Sequence, residues 1–192
     1  MQLFLKFATV LWGAATVTGL LVVWNYSATP VEGHSVGPNW PEQVCISRSL
    51  SRPTLVMCLH PRCSCSRASL HELERILAHA GDRVQTHILV FKPAEASDDW
   101  VQSDTYRTAR RIVGDNVAID AGGFCSASFG ATASGHVVLY SSSGQRLFAG
   151  GITISRGHEG DNPGRSAIQA LLRGDVTETD CTPVFGCPIR SS

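Results

Sequence analysis

Apolar positions along this chain follow three rhythms, and each predicts a different kind of element. Residues 7–24, FATVLWGAATVTGLLVVW, run without a charge, with only Lys6 just before them. A stretch of that length is about the minimum for a membrane-spanning helix. Thr54-Leu55-Val56-Met57-Cys58-Leu59 is a short apolar run rich in β formers, as a central strand requires. Leu70, Leu73, Ile76 and Leu77 then recur at helical spacing, and Ser69 with Glu72 offers a capping box for the helix start. Gly81-Asp82 turns the chain into a second strand, Val84 to Phe91, which Lys92-Pro93 ends. Ser103 or Asp104 caps a short helix through Ile112-Val113 that Gly114 stops, and residues 117–120 form a third strand. Residues 136–140 and 146–149 flank the turn Ser142-Ser143-Gly144-Gln145 as a hairpin. The last helix is the best marked: Asn162 is its N-cap, Pro163 its first position, Ala167, Ile168, Leu171 and Leu172 its apolar face, and Gly174 its stop.

This order predicts an α/β domain with a mixed sheet between helices, preceded by one N-terminal transmembrane helix. At 192 residues and 43% hydrophobic content the chain suffices for one ordinary domain plus an appendage. We place the anchor at residues 1–25, a tether at 26–51, the folded domain at 52–175 and a C-terminal tail at 176–192. The tether is rich in Pro, Gly, Ser and Asn, with a short edge element expected at Val44-Cys45-Ile46. A cleaved signal peptide competes with the anchor, but the run exceeds an ordinary h-region and no clean A-x-A site follows. Either way the domain is exported, with the N-terminus of an uncleaved anchor in the cytoplasm and the domain in the periplasm or otherwise outside.

Export changes what the seven cysteines imply, because disulfides persist outside the cytoplasm. Cys45, Cys58, Cys63, Cys65, Cys125, Cys181 and Cys187 cannot all pair within one molecule. The spacing of Cys181 and Cys187 suits a small structural loop closure. Cys58 reads as a small core residue of the first strand. Cys63 and Cys65 lie at or just before a helix N-terminus, where unpaired N–H groups and the helix dipole favour the reactive thiolate. Arg62 beside Cys63 would add to that effect. Net charge is zero, so the chain carries no electrostatic footprint of a nucleic-acid partner.

A strand, a cysteine pair and a helix in this order resemble the active site of the thioredoxin superfamily, most closely the membrane-tethered TlpA/ResA-type thiol-disulfide oxidoreductases. Setting Cys63 on that family's first cysteine brings Arg67-Ala68 and Glu72-Leu73 onto its usual positions. It leaves Ser66 where the second cysteine belongs, so the motif is Cys-Ser-Cys-Ser and only Cys63 transfers. Residues 129–139 occupy the place of a Tyr-Gly-Val-x-Gly-x-Pro-Thr run, with Gly135 replacing the cis-proline that helps present backbone to the substrate. The stretches GATASGHVVLY and GHEGDNPG also resemble thioredoxin-like proteins labelled RedB. The resemblance covers roughly residues 52–174 and implies a thioredoxin-like fold, a protein thiol or disulfide as substrate, and no cofactor.

Thioredoxin order would also bring the loop 156–162 towards the cysteines. His158 or Glu159 could then exchange protons with a thiol, or the loop could simply turn and cap the last helix. His136, beside the position of the missing proline, has a comparable claim, and His60 is either a neighbour of Cys63 or the close of the strand. Cys125 is either a second resolving cysteine, a partner of Cys45 or a buried free thiol. Two function classes follow. One is thiol-disulfide exchange in which Cys63 attacks and Cys65, or failing that Cys125, resolves; a tight Cys63–Cys65 ring would favour oxidising or isomerising partners. The other is metal handling, with Cys63, Cys65 and one of His60, His136 or His158 holding Cu(I) or Zn(II). A peroxidase lacks its Pro, Thr and Cys pattern around Cys63, and a non-catalytic domain would keep the cysteines as staples.

Overall fold

The computed structural model describes residues 1–31 and 36–189; parts of the tether and of the tail, at 32–35 and 190–192, lie outside the described residues. Strand β1, Thr54–Leu59, is buried along its whole length, as its unbroken apolar run requires. It pairs in parallel with β2, Gln85–Lys92, and antiparallel with β4, His136–Tyr140. With β3, Val117–Ala121, and β5, Arg146–Gly151, the sheet order is β3-β2-β1-β4-β5. A βαβ unit beside an antiparallel hairpin on one mixed sheet is the thioredoxin-like fold expected.

Side chains alternate across β1. Leu55, Met57 and Leu59 face α2, Ser66–Ala80, and α5, Pro163–Arg173, and form a core with Leu70, Leu73, Ile76, Ile168 and Leu172. Helix α3, Asp104–Val113, closes that core through Ala109. Ser103 caps α3 by accepting the Tyr106 N–H at 3.1 Å, and Asn162 caps α5 by accepting the Arg165 N–H at 2.7 Å. Val56, Cys58 and Val138 face the opposite side. That side carries the short α4, Phe124–Ser128, and irregular chain. Residues 36–46 are not free there: Trp40 meets Phe129 and Tyr140 edge-on at 5.1 and 5.2 Å, and Val44 and Ile46 pack nearby. No strand forms at Val44–Ile46, so that expectation is corrected.

Two further corrections concern α2. Its N-cap position is Cys65, four residues before the Ser69 that a capping box would make the N-cap, because Ser66 and Ser69 are both buried inside the helix. Glu72, fully buried, does not close a capping box. Its carboxylate accepts from the Gly160 N–H at 2.8 Å, Asn162 Nδ2 at 3.3 Å, Arg165 Nη1 and Arg75 Nη1 at 3.2 Å. A buried carboxylate needs such a set of donors, and here they tie α2 to the loop before α5.

Helix α1, Gln2–Ala28, has a mean hydropathy of 1.8 in its most apolar window and buries no residue, so it is long and apolar enough to cross a membrane. Its end meets the domain at Arg156. The Arg156 backbone N–H donates to the Ser27 carbonyl at 3.1 Å, Nε donates to the Tyr26 carbonyl at 3.1 Å, and the guanidinium lies 4.7 Å over the Tyr26 ring.

Candidate active site

Between β1 and α2 the chain makes a tight turn, closed by the Cys63 N–H donating to the His60 carbonyl at 3.2 Å. The Ser66 N–H donates to the Cys63 carbonyl at 3.1 Å, so Cys63 sits immediately before the first helical turn. Ser66 stands where the resemblance to thioredoxin-superfamily proteins would place a second cysteine. Its hydroxyl reaches the His60 carbonyl at 3.1 Å, the Ser134 hydroxyl at 2.7 Å and the Cys63 sulfur, and its one proton serves one of these acceptors at a time. Ser134 Oγ in turn accepts the His60 N–H at 2.9 Å. The loop that would carry the cis-proline is thereby locked to the start of α2 by hydroxyls. Gly135, at φ 88°, completes the lock: a Cβ there would stand 2.7 Å from Ser69 Oγ.

Cys63 is 3% exposed, and the sulfur nearest to it belongs to neither Cys65 nor Cys125. Cys187 Sγ lies 2.8 Å from Cys63 Sγ, although 124 residues separate them. Burial raises the Cys63 pKa, but hydrogen bonds from the Cys187 thiol and backbone, the Cys65 backbone and the Ser66 hydroxyl outweigh it and leave the thiol below the ordinary cysteine value. Cys65 moves the other way: burial, the charge of Cys63 and a hydrogen bond to it raise its pKa, while Arg156 and Ser64 oppose the rise. Cys187 is pushed up to about 12 by burial and by Cys63, again against Arg156. The site thus holds one thiol of lowered pKa beside two whose pKa is raised, with a guanidinium nearby.

Arg156 and Cys187 are the site residues missed by sequence reasoning. Arg156 opens the loop foreseen to face the cysteines, yet nothing in its context marks it as the residue that arrives. Cys187 carried a misleading signal, its spacing from Cys181. The structure corrects that expectation: no disulfide joins them, and Cys181 is an exposed free thiol.

The remaining expectations sort by geometry. Cys125 is bonded to Cys45 with their Cα atoms 5.9 Å apart, the pairing alternative of the three, and so has no free thiol with which to resolve Cys63. Cys58 is a buried core thiol pushed up to about 12 by burial. Arg62 turns away from Cys63: its guanidinium lies 4.5 Å over the Trp100 ring. The His60 ring stacks on Phe91 at 5.6 Å and meets Trp100 at 5.5 Å, and its pKa is lowered by burial and then by Arg62. His136 projects to the face opposite α2, with Val138 and Tyr140, and burial lowers its pKa to about 4. His158 is exposed, and Glu159 binds His71 at 2.7 Å and Arg75 at 3.8 Å on the outside of α2. The histidines considered as metal ligands with Cys63 and Cys65 are therefore dispersed. No cluster of three or more histidine, cysteine or carboxylate ligands suited to a metal forms among the described residues.

A hypothetical protein of Sinorhizobium meliloti 1021 has a similar solved structure, with a TM-score of 0.64 and 17% identity over 83% of this chain and 97% of that one. An uncharacterized conserved protein from Geobacillus kaustophilus matches with a TM-score of 0.64 and 16% identity, over 85% of this chain and 97% of that one. A thioredoxin-like protein in its oxidized form gives a TM-score of 0.49 at 11% identity, over 72% and 97%. No protein-family model and no curated protein matches the sequence. The two structures matching at 0.64 share the chain's α/β fold, whose sheet order is thioredoxin-like, here behind an N-terminal helix long and apolar enough to cross a membrane.

Proposed function

We propose that this protein is a membrane-tethered thiol-disulfide oxidoreductase acting outside the cytoplasm, with Cys63 as its nucleophile. The observation that carries this reading is the asymmetry of the thiols at the start of α2. The pKa of Cys63 is lowered towards the thiolate, while that of Cys65, two residues on, is raised. A thiolate is the species that attacks disulfides, and a second thiol kept in reserve is what releases the mixed disulfide. Cys63 attacks one sulfur of a substrate disulfide, the other sulfur leaves as a thiolate, and a second thiol of the site, for which the Cys-Ser-Cys motif offers Cys65, releases the mixed disulfide. A depressed nucleophile pKa stabilises the reduced protein, which favours oxidation or isomerisation of partners. The substrate class is a protein thiol or disulfide, reached from a domain that α1 holds at the membrane.

The test uses the full chain in detergent, reduced and then mixed with glutathione disulfide, with acid quenching, mass mapping and metal analysis on the same sample. Cys63→Ser is expected to lower exchange at least about a hundredfold, roughly 3 kcal/mol of lost transition-state stabilisation, with the melting temperature unchanged. Exchange that survives Cys63→Ser, or unreactive thiols that co-purify with stoichiometric copper or zinc, would overturn the proposal.

A further inference from the structure

We propose that Cys187 of the C-terminal segment is the thiol that resolves the mixed disulfide on Cys63, so that the oxidised protein carries a Cys63–Cys187 bond. This rests on the oxidoreductase reading above and changes its second thiol.

The placement of Cys187 is fixed by contacts with residues 132–134 and with Arg156. The Ser134 N–H donates to the Cys187 carbonyl at 2.8 Å, and the Ile189 N–H donates to the Thr132 carbonyl at 2.9 Å. Ala133 and Pro188 form an antiparallel bridge between these bonds. Arg156 Nη1 donates to the Gly186 carbonyl. Gly186 itself lies flat against Ser134, and a Cβ there would run into the Ser134 carbonyl oxygen. Residues 186–189 thus lie as a short added strand along residues 132–134, where the resemblance places substrate backbone, with a cysteine at the nucleophile. The sulfur separation of 2.8 Å is shorter than ordinary non-bonded contact and longer than the roughly 2.05 Å of a disulfide.

Cys65 is a poorer resolver on geometric grounds. A single residue separates it from Cys63 on a turn already fixed by helix hydrogen bonds, so closing that ring distorts the turn. Cys187 approaches from a separate segment and carries no such constraint. Arg156 serves as a positioning residue: it holds Gly186, and its charge favours ionisation of Cys187 when the thiol must act.

The chemistry balances without an added reagent. The Cys63 thiolate attacks a disulfide R–S–S–R′, forming Cys63–S–S–R and expelling R′–S⁻, which takes a proton from water. Cys187 then releases its proton, and its thiolate attacks Cys63 Sγ. The bond to R breaks, R–S⁻ leaves with the electron pair and is protonated, and the Cys63–Cys187 bond forms. Two protein thiols are oxidised by two electrons and one substrate disulfide is reduced to two thiols. A substrate dithiol reverses the sequence.

The experiment treats the reduced full chain in detergent with glutathione disulfide, quenches with acid at intervals, alkylates and maps adducts by mass. The expected cross-link joins the peptide bearing Cys187 to that bearing Cys63, and it persists in Cys65→Ser. Cys187→Ser is expected to accumulate glutathione on Cys63 and to resolve it at least tenfold more slowly, whereas Cys181→Ser resolves it at the parental rate. Gly186→Ala, which displaces the segment and keeps the thiol, is expected to reproduce the slow resolution. A Cys63–Cys65 cross-link with parental resolution in Cys187→Ser would overturn this inference alone. Absence of a glutathione adduct on Cys63 in every variant, including Cys65→Ser with Cys187→Ser, would overturn the oxidoreductase reading with it.

Discussion

Two pairs of sulfurs join distant parts of this chain, and only one of them is closed. Cys45 and Cys125, 80 residues apart, are bonded on one face of the sheet; Cys63 and Cys187, 124 residues apart, stay as thiols at the end of β1. Both Cys63 and Cys125 lie at a helix N-terminus. The difference is what already occupies that terminus. At α4 the Asp120 carboxylate accepts the Cys125 and Ser126 N–H groups at 2.9 and 2.8 Å, so the donors are spent on a fixed anion. At α2 the first turn carries no acidic residue, and the Cys65 N–H and Ser66 hydroxyl, together with the Cys187 thiol and backbone, act on the Cys63 sulfur. A helix start makes a cysteine reactive only while no carboxylate has taken its place.

The contrast breaks most visibly if the closed pair is removed. Cys45→Ser together with Cys125→Ser should cost about 4 kcal/mol by loop entropy, read by urea unfolding, while exchange at Cys63 persists. Loss of exchange with the protein still folded would mean that the two pairs are coupled. Acid separates the same regions by pH. His136 is buried and its pKa is lowered to about 4, so the unfolded chain binds a proton below about 6.5 that the folded chain refuses. Stability is therefore full above that value, falls as pH drops towards 4, and has lost about 3 kcal/mol there. His136→Gln should flatten that slope in urea midpoints measured from pH 7 to 4; an unchanged slope would assign it to other groups.

Asp120→Asn tests the role of the carboxylate directly. It should cost about 1–2 kcal/mol in hydrogen bonding and dipole interaction, and in the reduced protein it should speed alkylation of Cys125. Ser66→Ala is the mildest change. It removes one donor from the Cys63 thiolate, so the pKa rises and alkylation at pH 7 slows about two- to tenfold, one hydrogen bond's worth. In the parent, alkylation of Cys63 should be half-maximal below the ordinary cysteine pKa, and a midpoint at or above it would remove the thiolate from the site.

Local pattern carried most of the fold. β1 is where an apolar β-forming run puts it, and α3 and α5 begin at Ser103 and Asn162 because a side-chain oxygen there has N–H groups to satisfy. The start of α2 was misread because Ser69 and Glu72 match a capping box by spacing, yet burial turns both inward. Cys63 was legible for the same local reason as the caps: strand, turn and helix are contiguous in the chain.

The rest of the site is not local. Arg156, Ser134 and Cys187 reach the turn around Cys63 from three other segments, and no spacing rule links positions 124 residues apart. The reach of the tether and tail was equally hidden, because segments without periodicity are placed by the surface they cover, as Trp40 is by Phe129 and Tyr140. By itself the sequence determined the elements, the apolar N-terminal helix and the place of Cys63 between strand and helix, all consequences of neighbouring side chains and backbone. Only the tertiary structure decided which sulfur stands beside Cys63 and which is sealed with Cys45, since both depend on contacts between surfaces distant in the chain.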